Sequence, residues 1–127
     1  MGKGEKDVEI AASPAAVWAV VANFGDLSFF PGVTSVRMDG DATRVVTAGG
    51  HEIREHLIEL DDDNMSLRYT VTEGLRGIDT HEATITVRPD GEGAKVTYSW
   101  EVTPEEAVGA MGKTYGAALG GLKNHFA

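Results

Sequence analysis

The sequence predicts an α+β fold in which a curved, seven-stranded antiparallel sheet wraps around one long C-terminal helix. Three observations predict it. A short alternating segment opens the chain, six more alternating segments lie between residues 34 and 103, and residues 103–126 repeat apolar side chains with the period of a helix. A sheet with one apolar face needs a cover, and the last helix is long enough to provide it. Such an arrangement often encloses a cavity rather than a solid core.

The composition limits the possible partners. The 127 residues suffice for one domain with a hydrophobic core, expected to be a monomer or homodimer. The net charge of −9 argues against nucleic acid as a partner and against docking on an anionic membrane, because both require a basic surface. The chain has no cysteine, which excludes disulfides and favours a cytoplasmic location. No segment has the pattern of a signal peptide or a membrane-spanning helix.

The first elements are predicted to be one strand and two short helices. Apolar and polar residues alternate from Asp7 to Ala12, as in a strand. Ser13 followed by Pro14 is typical of a helix N-cap and first helical position, and this helix is expected to reach about Asn23. The segment from Asp26 to Val33 is too short for a full helix and is predicted to make one brief helical turn.

Six strands joined by short turns are predicted to follow as a meander. Their expected bounds are Thr34 to Met38, Thr43 to Thr47, His51 to Leu60, Ser66 to Glu73, Thr80 to Arg88, and Lys95 to Thr103. The last three alternate cleanly, which predicts one face against the core and a threonine-rich, charged face in water.

The final helix is predicted to begin directly after the last strand. Thr103 can serve as its N-cap, Pro104 as its first residue and Glu106 as the partner in a capping box. Glycines at positions 109, 112, 116 and 120 run beside its apolar stripe. Each interior glycine costs about 0.5–1 kcal/mol relative to alanine. Either close packing of the helix on the sheet or a hollow for a ligand would explain them, and the sequence leaves both explanations open.

Several short motifs occur in a defined order along the chain. They are Ile10 to Trp18, Phe24-Gly25-Asp26, Phe30 to Val33, Arg54 to Leu57, Leu60-Asp61-Asp62, Arg68 to Val71, Glu73-Gly74, Pro89-Asp90-Gly91, Val96 to Trp100, and Gly120 to Lys123. Together with the order of elements, they resemble the START-like, or SRPBCC, superfamily. This is the helix-grip fold of the birch-pollen allergens, the polyketide cyclase/dehydrase-like proteins and the plant abscisic acid receptors. The resemblance spans nearly the whole chain and implies the fold, whereas the function stays open because this fold serves many functions.

The resemblance implies a ligand cavity between the sheet and the C-terminal helix. Its mouth would be ringed by the loop near Phe29-Phe30, the turn at Gly49-Gly50 and the loop from Gly74 to Ile78. The Gly49-Gly50 turn lacks the longer gate sequence of the hormone receptors, so hormone sensing is not implied.

Two residues are candidates for acid–base chemistry. The alternation around Glu55 is ambiguous, and the resemblance implies that it points inward, where burial would raise its pKa. The alternative is a structural acid paired with an arginine. Alternation alone places His81 inward, and its alternative is a core histidine satisfied by a carbonyl or a tyrosine hydroxyl. The expected pairing puts Glu55 beside Tyr69 and Ala83, and His81 in the next row with Ile53 and Val71, so that Glu55 and His81 are roughly 10 Å apart.

Two functions fit these residues. The first is binding of a small hydrophobic molecule, aromatic or polyketide-like; the second is a cofactor-independent cyclase, dehydratase or related lyase or isomerase that uses Glu55 and His81. The residues expected to line the cavity or its mouth are Phe29, Phe30, Ile53, Tyr69, Val71, Arg76, Ile78, Ala83, Tyr98, Trp100, Met111, Thr114, Tyr115 and Ala118. A protein-interaction module is a weaker third option, because the exposed sheet face has no apolar patch. No cofactor or metal is expected: the segment from His51 to His56 looks like a zinc-protease motif, but its spacing is wrong and it lies on a strand.

Overall fold

The computed structural model describes residues 2–127 and has the predicted α+β architecture. The strands are β1 (Gly2–Ile10), β2 (Val33–Met38), β3 (Thr43–Ala48), β4 (His51–Asp61), β5 (Ser66–Glu73), β6 (Thr80–Asp90) and β7 (Gly93–Thr103). The helices are α1 (Pro14–Val21) and α2 (Val108–His125). The strands form one antiparallel sheet in the order β1-β7-β6-β5-β4-β3-β2, so the predicted meander from β2 to β7 is confirmed. Helix α2 lies against β1 and β7.

Strand β1 is longer than its local pattern predicts. It begins at Gly2 rather than Asp7, and it pairs with β7 continuously from Gly2 opposite Val102 to Ile10 opposite Ala94. The first residues are glycine and charged residues, which do not form a strand by propensity. Their hydrogen bonds to β7 therefore decide the conformation of this segment.

One short helix, rather than two, follows β1. The Ser13 hydroxyl accepts a hydrogen bond from the Ala16 amide at 3.2 Å, and Pro14 is the first helical residue, as predicted. The segment after α1 forms separate turns: the Phe30 amide binds the Leu27 carbonyl at 2.9 Å, and no helix continues from it. Pro31 explains this, because a proline disfavours the helical conformation of the residue before it.

The start predicted for the C-terminal helix is wrong. Thr103 is still part of β7, where it pairs with Thr80 and the two hydroxyls bond at 2.7 Å. Its side chain therefore does not cap a helix. The chain instead makes a 3-10 turn at Glu105–Ala107, and α2 begins at Val108 without a side-chain cap. The capping box is overridden because the strand pairing extends through the proposed N-cap.

A β-bulge in β4 decides which of its side chains face the interior. Leu60 pairs with Leu67 and Leu57 pairs with Tyr69, so two residues three positions apart share the inner face. The shift lies between Leu57 and Glu59 and lets the odd-numbered residues that precede it point inward. The ambiguous alternation of this strand has this bulge as its physical cause.

The expected pairing of Glu55 also requires a correction. Glu55 lies opposite Val71 rather than Tyr69, because β4 extends to Asp61 and contains the bulge. The pairing of Tyr69 with Ala83 is as predicted. Glu55 therefore points inward, as the resemblance implied. Its partner on β5 is two residues nearer to the loop between β5 and β6 than expected.

Candidate functional site

Glu55 is held in a buried ion pair with Arg44. The Arg44 Nε donates to Glu55 Oε1 at 2.6 Å, and the Arg44 and Glu55 residues are only 4% and 9% exposed. A second guanidinium nitrogen of Arg44 donates to the Phe24 carbonyl at 2.9 Å. The guanidinium also lies 3.9 Å from the centre of the Phe24 ring and 5.1 Å from that of Tyr69. The geometry therefore matches the second interpretation of Glu55, a structural acid paired with an arginine.

Sequence reasoning missed Arg44, although a usable signal was present. Gly49 and Gly50 form the turn between β3 and β4, with φ of 58° and 79°. A two-residue turn with two positive φ angles fixes the register of its hairpin. Counting outward from it places Arg44 opposite Glu55, as the structure shows. Two opposite charges facing each other on the inner side of a hairpin predict an ion pair.

His81 joins three elements of the fold and is only 5% exposed. Its Nδ1 accepts a hydrogen bond from the Val71 amide at 3.2 Å, and its Nε2 contacts the Tyr115 hydroxyl. A backbone amide can only donate, so in the neutral ring the proton is on Nε2, which donates to Tyr115. Burial lowers the pKa of His81 from 6.5 to about 4, and the ring is therefore neutral at pH 7. A tyrosine hydroxyl does satisfy this histidine, as the structural alternative proposed.

Two tyrosines, Tyr69 and Tyr115, lie beside the His81 ring, and a third, Tyr98, contacts both of them. The Tyr69 and Tyr98 hydroxyls bond to each other, and the Tyr98 and Tyr115 rings stack with their centres 4.1 Å apart. Burial raises the pKa of all three phenols, so they keep their protons at neutral pH. We call Tyr69, Tyr98, Tyr115 and His81 the tyrosine–histidine cluster.

A small recess of about 70 Å³ opens beside this cluster. The backbone pairing of β5 with β6 ends at Tyr69 and Ala83. Beyond this point the Val71 amide donates its hydrogen bond to the His81 ring instead of to a carbonyl of the neighbouring strand. The recess is lined by Val71, Thr72, Glu73, Gly74, Leu75, Ile78, Asp79, Thr80 and His81. It therefore lies at the loop where the resemblance implied part of the mouth, and it contacts the tyrosine–histidine cluster through His81.

The space expected to form a cavity is filled by the protein's own side chains. Seven of the predicted lining residues are buried there: Tyr69, Ala83, Tyr98, Trp100, Met111, Tyr115 and Ala118. Five more are partly buried towards the surface: Phe29, Phe30, Ile53, Val71 and Ile78. Among the cavities of residues 2–127, one of about 370 Å³ is a groove lined mainly by polar residues of β1, β6 and β7, away from the recess.

Two predicted lining residues do not reach the interior. Thr114 is exposed on α2, and its hydroxyl donates to the Ala110 carbonyl of the same helix at 3.4 Å. Arg76 is exposed in the loop between β5 and β6 and does not line the recess. Thr114 lies on the flank of the helix beside the apolar stripe, and helical periodicity alone does not fix how far the sheet wraps around that flank.

The glycines of α2 divide into two groups. A Cβ atom at Gly112 would lie 3.2 Å from the Trp100 ring, and one at Gly116 would lie 3.1 Å from Lys6 Nζ. A Cβ atom at Gly109 or Gly120 would meet nothing within 4 Å. Close packing on the Trp100 ring of β7 therefore explains Gly112, whereas the neighbour of Gly116 is the flexible end of the exposed Lys6 side chain of β1. None of the four glycines borders a hollow beneath the helix.

The buried neutral state of His81 predicts a dependence of stability on pH. Because its pKa is 6.5 in the unfolded chain and about 4 in the fold, the unfolded chain binds a proton first as the pH falls. The free energy of unfolding is therefore highest above pH 6.5. It falls by about 3 kcal/mol as the pH decreases towards 4. Urea unfolding of the wild type and of His81→Gln, whose amide can replace both hydrogen bonds without titrating, measures it. The variant should lose less stability across this pH range, and equal losses would contradict the assignment.

Two further structural findings concern other kinds of site. Among residues 2–127, no group of three or more His, Asp or Glu side chains is placed to hold a metal ion. Of the helices in this part of the chain, none is both long enough and apolar enough to cross a membrane.

Comparison with known proteins identifies the family. The model of the polyketide cyclase/dehydrase and lipid transport family matches residues 1–127. The chain belongs to this family. The predicted START-like relationship is therefore confirmed, and family and fold together fit either binding of a hydrophobic ligand or a role like that of the polyketide cyclases and dehydrases. Among curated proteins, none is significantly similar to the chain.

Solved structures confirm the fold. The protein XoxI from Bacillus cereus is 24% identical, with a TM-score of 0.93 over 99% of this chain and 96% of that one. An uncharacterised protein from Bacillus thuringiensis is 21% identical, with a TM-score of 0.92 over 98% of both chains. Ara h 8.0201, at 14% identity, has a TM-score of 0.78 over 98% of this chain and 96% of its own. At these identities the likeness shows the helix-grip fold alone.

Proposed function

We propose that the chain is a single domain that binds a small hydrophobic molecule, aromatic or polyketide-like, between the sheet and α2. The observation that carries this proposal is the position of the tyrosine–histidine cluster, which is buried directly behind the recess. Aromatic walls with a few convergent polar groups are typical of small-molecule sites. The membership in a family of cyclases and lipid carriers supports the same conclusion.

Binding requires movement, because side chains fill the interior. Met111 lies on α2 and is 8% exposed, and its unbranched thioether chain adapts to irregular space. Leu75 and Ile78, on the loop beside the recess, are only partly buried. The ligand is proposed to enter between this loop and the Phe29-Phe30 segment and to displace Met111.

The candidate acid–base residues favour binding over catalysis. The Glu55 carboxylate is paired with Arg44 at 2.6 Å, and the pKa of His81 is about 4, which leaves it a weak base at neutral pH. One observation supports a second candidate function, that of a cofactor-independent cyclase or dehydratase. His81 contacts the Tyr115 hydroxyl beside the recess, where a proton can pass between the two groups.

An NMR titration with 2-acetylnaphthalene tests the binding function. The expected shifts are in the amides of Val71, His81 and Tyr115. Ile78→Trp, which fills the recess, should weaken binding at least tenfold. The matched control is Val36→Trp, which fills a recess of about 210 Å³ at β2 and should bind like the wild type. Shifts confined to the groove near Lys3 and Glu101, or no binding, would refute the proposal.

Native mass spectrometry separates the two functions. It should be applied to protein purified from its own organism, together with Glu55→Gln and His81→Ala. A carrier should retain the same molecule in all three proteins. If the wild type instead holds a product and the variants hold its precursor, the protein is an enzyme.

A further inference from the structure

The sheet is divided between β5 and β6. These strands pair only from Ser66 to Tyr69 on β5, opposite Thr86 to Ala83 on β6. Beyond Tyr69, β5 stays paired with β4 as far as Glu73, and β6 stays paired with β7 as far as Thr80. The end of β5 and the start of β6 therefore belong to different halves of the sheet, and the recess lies between them.

His81 joins the two halves with its ring and its backbone. Its Nδ1 accepts from the Val71 amide at 3.2 Å, and its carbonyl oxygen accepts from the Thr70 hydroxyl. Its Nε2 donates to Tyr115 on α2. Of these three contacts, only the one with Val71 requires a ring nitrogen without a proton. Protonation would set an N–H group of the ring against the Val71 N–H group, so this contact would be lost and the other two would remain.

The charges around His81 favour opening towards the recess once the ring is protonated. The titratable and charged groups on the elements around the ring are Tyr69, Tyr115, Glu55, Arg44, Glu73 and Asp79. Inside the fold, the phenols are neutral and the Glu55 carboxylate is balanced by Arg44, so these groups do not compensate for a charge on the ring. Glu73 and Asp79 are exposed and line the recess. A charged ring is therefore more stable when it reaches water and these two carboxylates.

We propose that His81 is a pH-sensitive switch: when its ring takes up a proton, the end of β5 and the loop from Gly74 to Ile78 separate from β6 and widen the recess towards the interior. Two contacts limit the movement, the Thr70 hydroxyl on the His81 carbonyl and the Asp79 amide on the Thr103 carbonyl at 2.7 Å. The effect on ligand access rests on the proposed function, whereas the opening itself does not.

The direction of the pH dependence follows from the burial of the ring. Burial lowers the pKa of His81 to about 4 in the closed form, and a ring in contact with water keeps a pKa near 6.5. The open form therefore binds the proton first as the pH falls. The ratio of open to closed protein should rise about 20-fold between pH 7 and pH 5.

Amide hydrogen exchange of the free protein tests the opening. The protection factor of the Val71 amide should fall about 20-fold between pH 7 and pH 5, and at both values it should lie below that of Tyr98 in β7, because the opening is local. His81→Gln, which cannot titrate, should abolish the fall. His51→Gln, at an exposed histidine of β4, should leave it unchanged. Equal protection of Val71 and Tyr98 at pH 5, or the same fall in His81→Gln, would overturn the inference.

A measurement on the wild type alone does not depend on whether the variants fold. In ¹⁵N NMR, Nδ1 of His81 should take up its proton over the same pH range in which the Val71 amide shift changes. A ring that stays neutral until the whole protein unfolds would overturn the inference.

Binding kinetics test whether the opening controls access. If the widened recess is the entrance, 2-acetylnaphthalene should associate about 20-fold faster at pH 5 than at pH 7, in proportion to the open form. A rate independent of pH would overturn the role of His81 in access. No binding at either pH would instead refute the proposed function, and the exchange of the Val71 amide would still decide whether the switch exists.

Discussion

Arg44→Met is expected to destabilise the protein by about 3–5 kcal/mol. The substitution removes the guanidinium that binds the buried Glu55 carboxylate at 2.6 Å and leaves that charge uncompensated. It also removes the donor to the Phe24 carbonyl and the cation stacked on the Phe24 ring. Urea unfolding followed by circular dichroism measures the change. A loss below about 1 kcal/mol would show that the pair is far better solvated than its burial indicates.

Two controls separate the charge from the packing. The double variant Arg44→Met with Glu55→Leu should recover much of the lost stability, because apolar residues of similar size often replace a buried ion pair without cost. The pair of Lys3 with Glu101 at 3.3 Å offers the opposite control, since both side chains are largely exposed. Lys3→Met should change stability by less than about 1 kcal/mol. A double variant no more stable than Arg44→Met would assign the loss to packing alone.

Gly121→Ala is expected to destabilise the protein by about 1–3 kcal/mol, the range for overpacking a close contact. A Cβ atom there would lie 2.0 Å from the Phe29 carbonyl oxygen and 3.0 Å from Pro31 Cδ. The backbone of this loop must move to accommodate it. Because the loop carries Phe29 and Phe30 at the proposed mouth, the variant should also weaken binding of 2-acetylnaphthalene.

The preceding residue supplies a matched control. Gly120 lies on the same turn of α2, and an added Cβ would meet nothing within 4 Å. Gly120→Ala should therefore stabilise the helix by about 0.5–1 kcal/mol, because alanine has the higher helix propensity. Urea unfolding of both variants compares two adjacent glycines with opposite expected signs. The same sign for both would mean that the contact with the Phe29 carbonyl does not hold in solution.

The order of the elements and the inner faces of the regular strands follow from local patterns in the sequence. In β6 and β7, apolar residues alternate with Thr and charged residues without interruption, so the pattern alone assigns His81, Tyr98 and Trp100 to the interior. The start of α1 is equally predictable from the sequence. The Ser13 side chain and the Pro14 ring stabilise the first turn of the helix through the backbone of neighbouring residues. These features depend on neighbours within a few residues.

The candidate site was only partly predictable. The glycine turn after β3 sets the register that pairs Arg44 with Glu55. The contact of Arg44 with Phe24 is not predictable from the local sequence, because the two residues are 20 positions apart. The hydrogen bond between His81 and Tyr115 joins residues 34 positions apart. Such contacts depend on where α2 crosses the sheet, and helical periodicity does not fix that position.

The remaining features depend on long-range contacts, and in each case a distant partner outweighs a local preference. Pairing with β7 makes a strand of the glycine-rich start of the chain, and pairing with β6 keeps Thr103 out of the helix cap. The bulge in β4 turns Glu55 inward. The glycines at 112 and 121 serve contacts with Trp100 and with the Phe29 carbonyl, whereas the glycine at 120 serves none. Propensities and caps contribute about 1 kcal/mol each, and a continuous strand ladder or a buried contact contributes more.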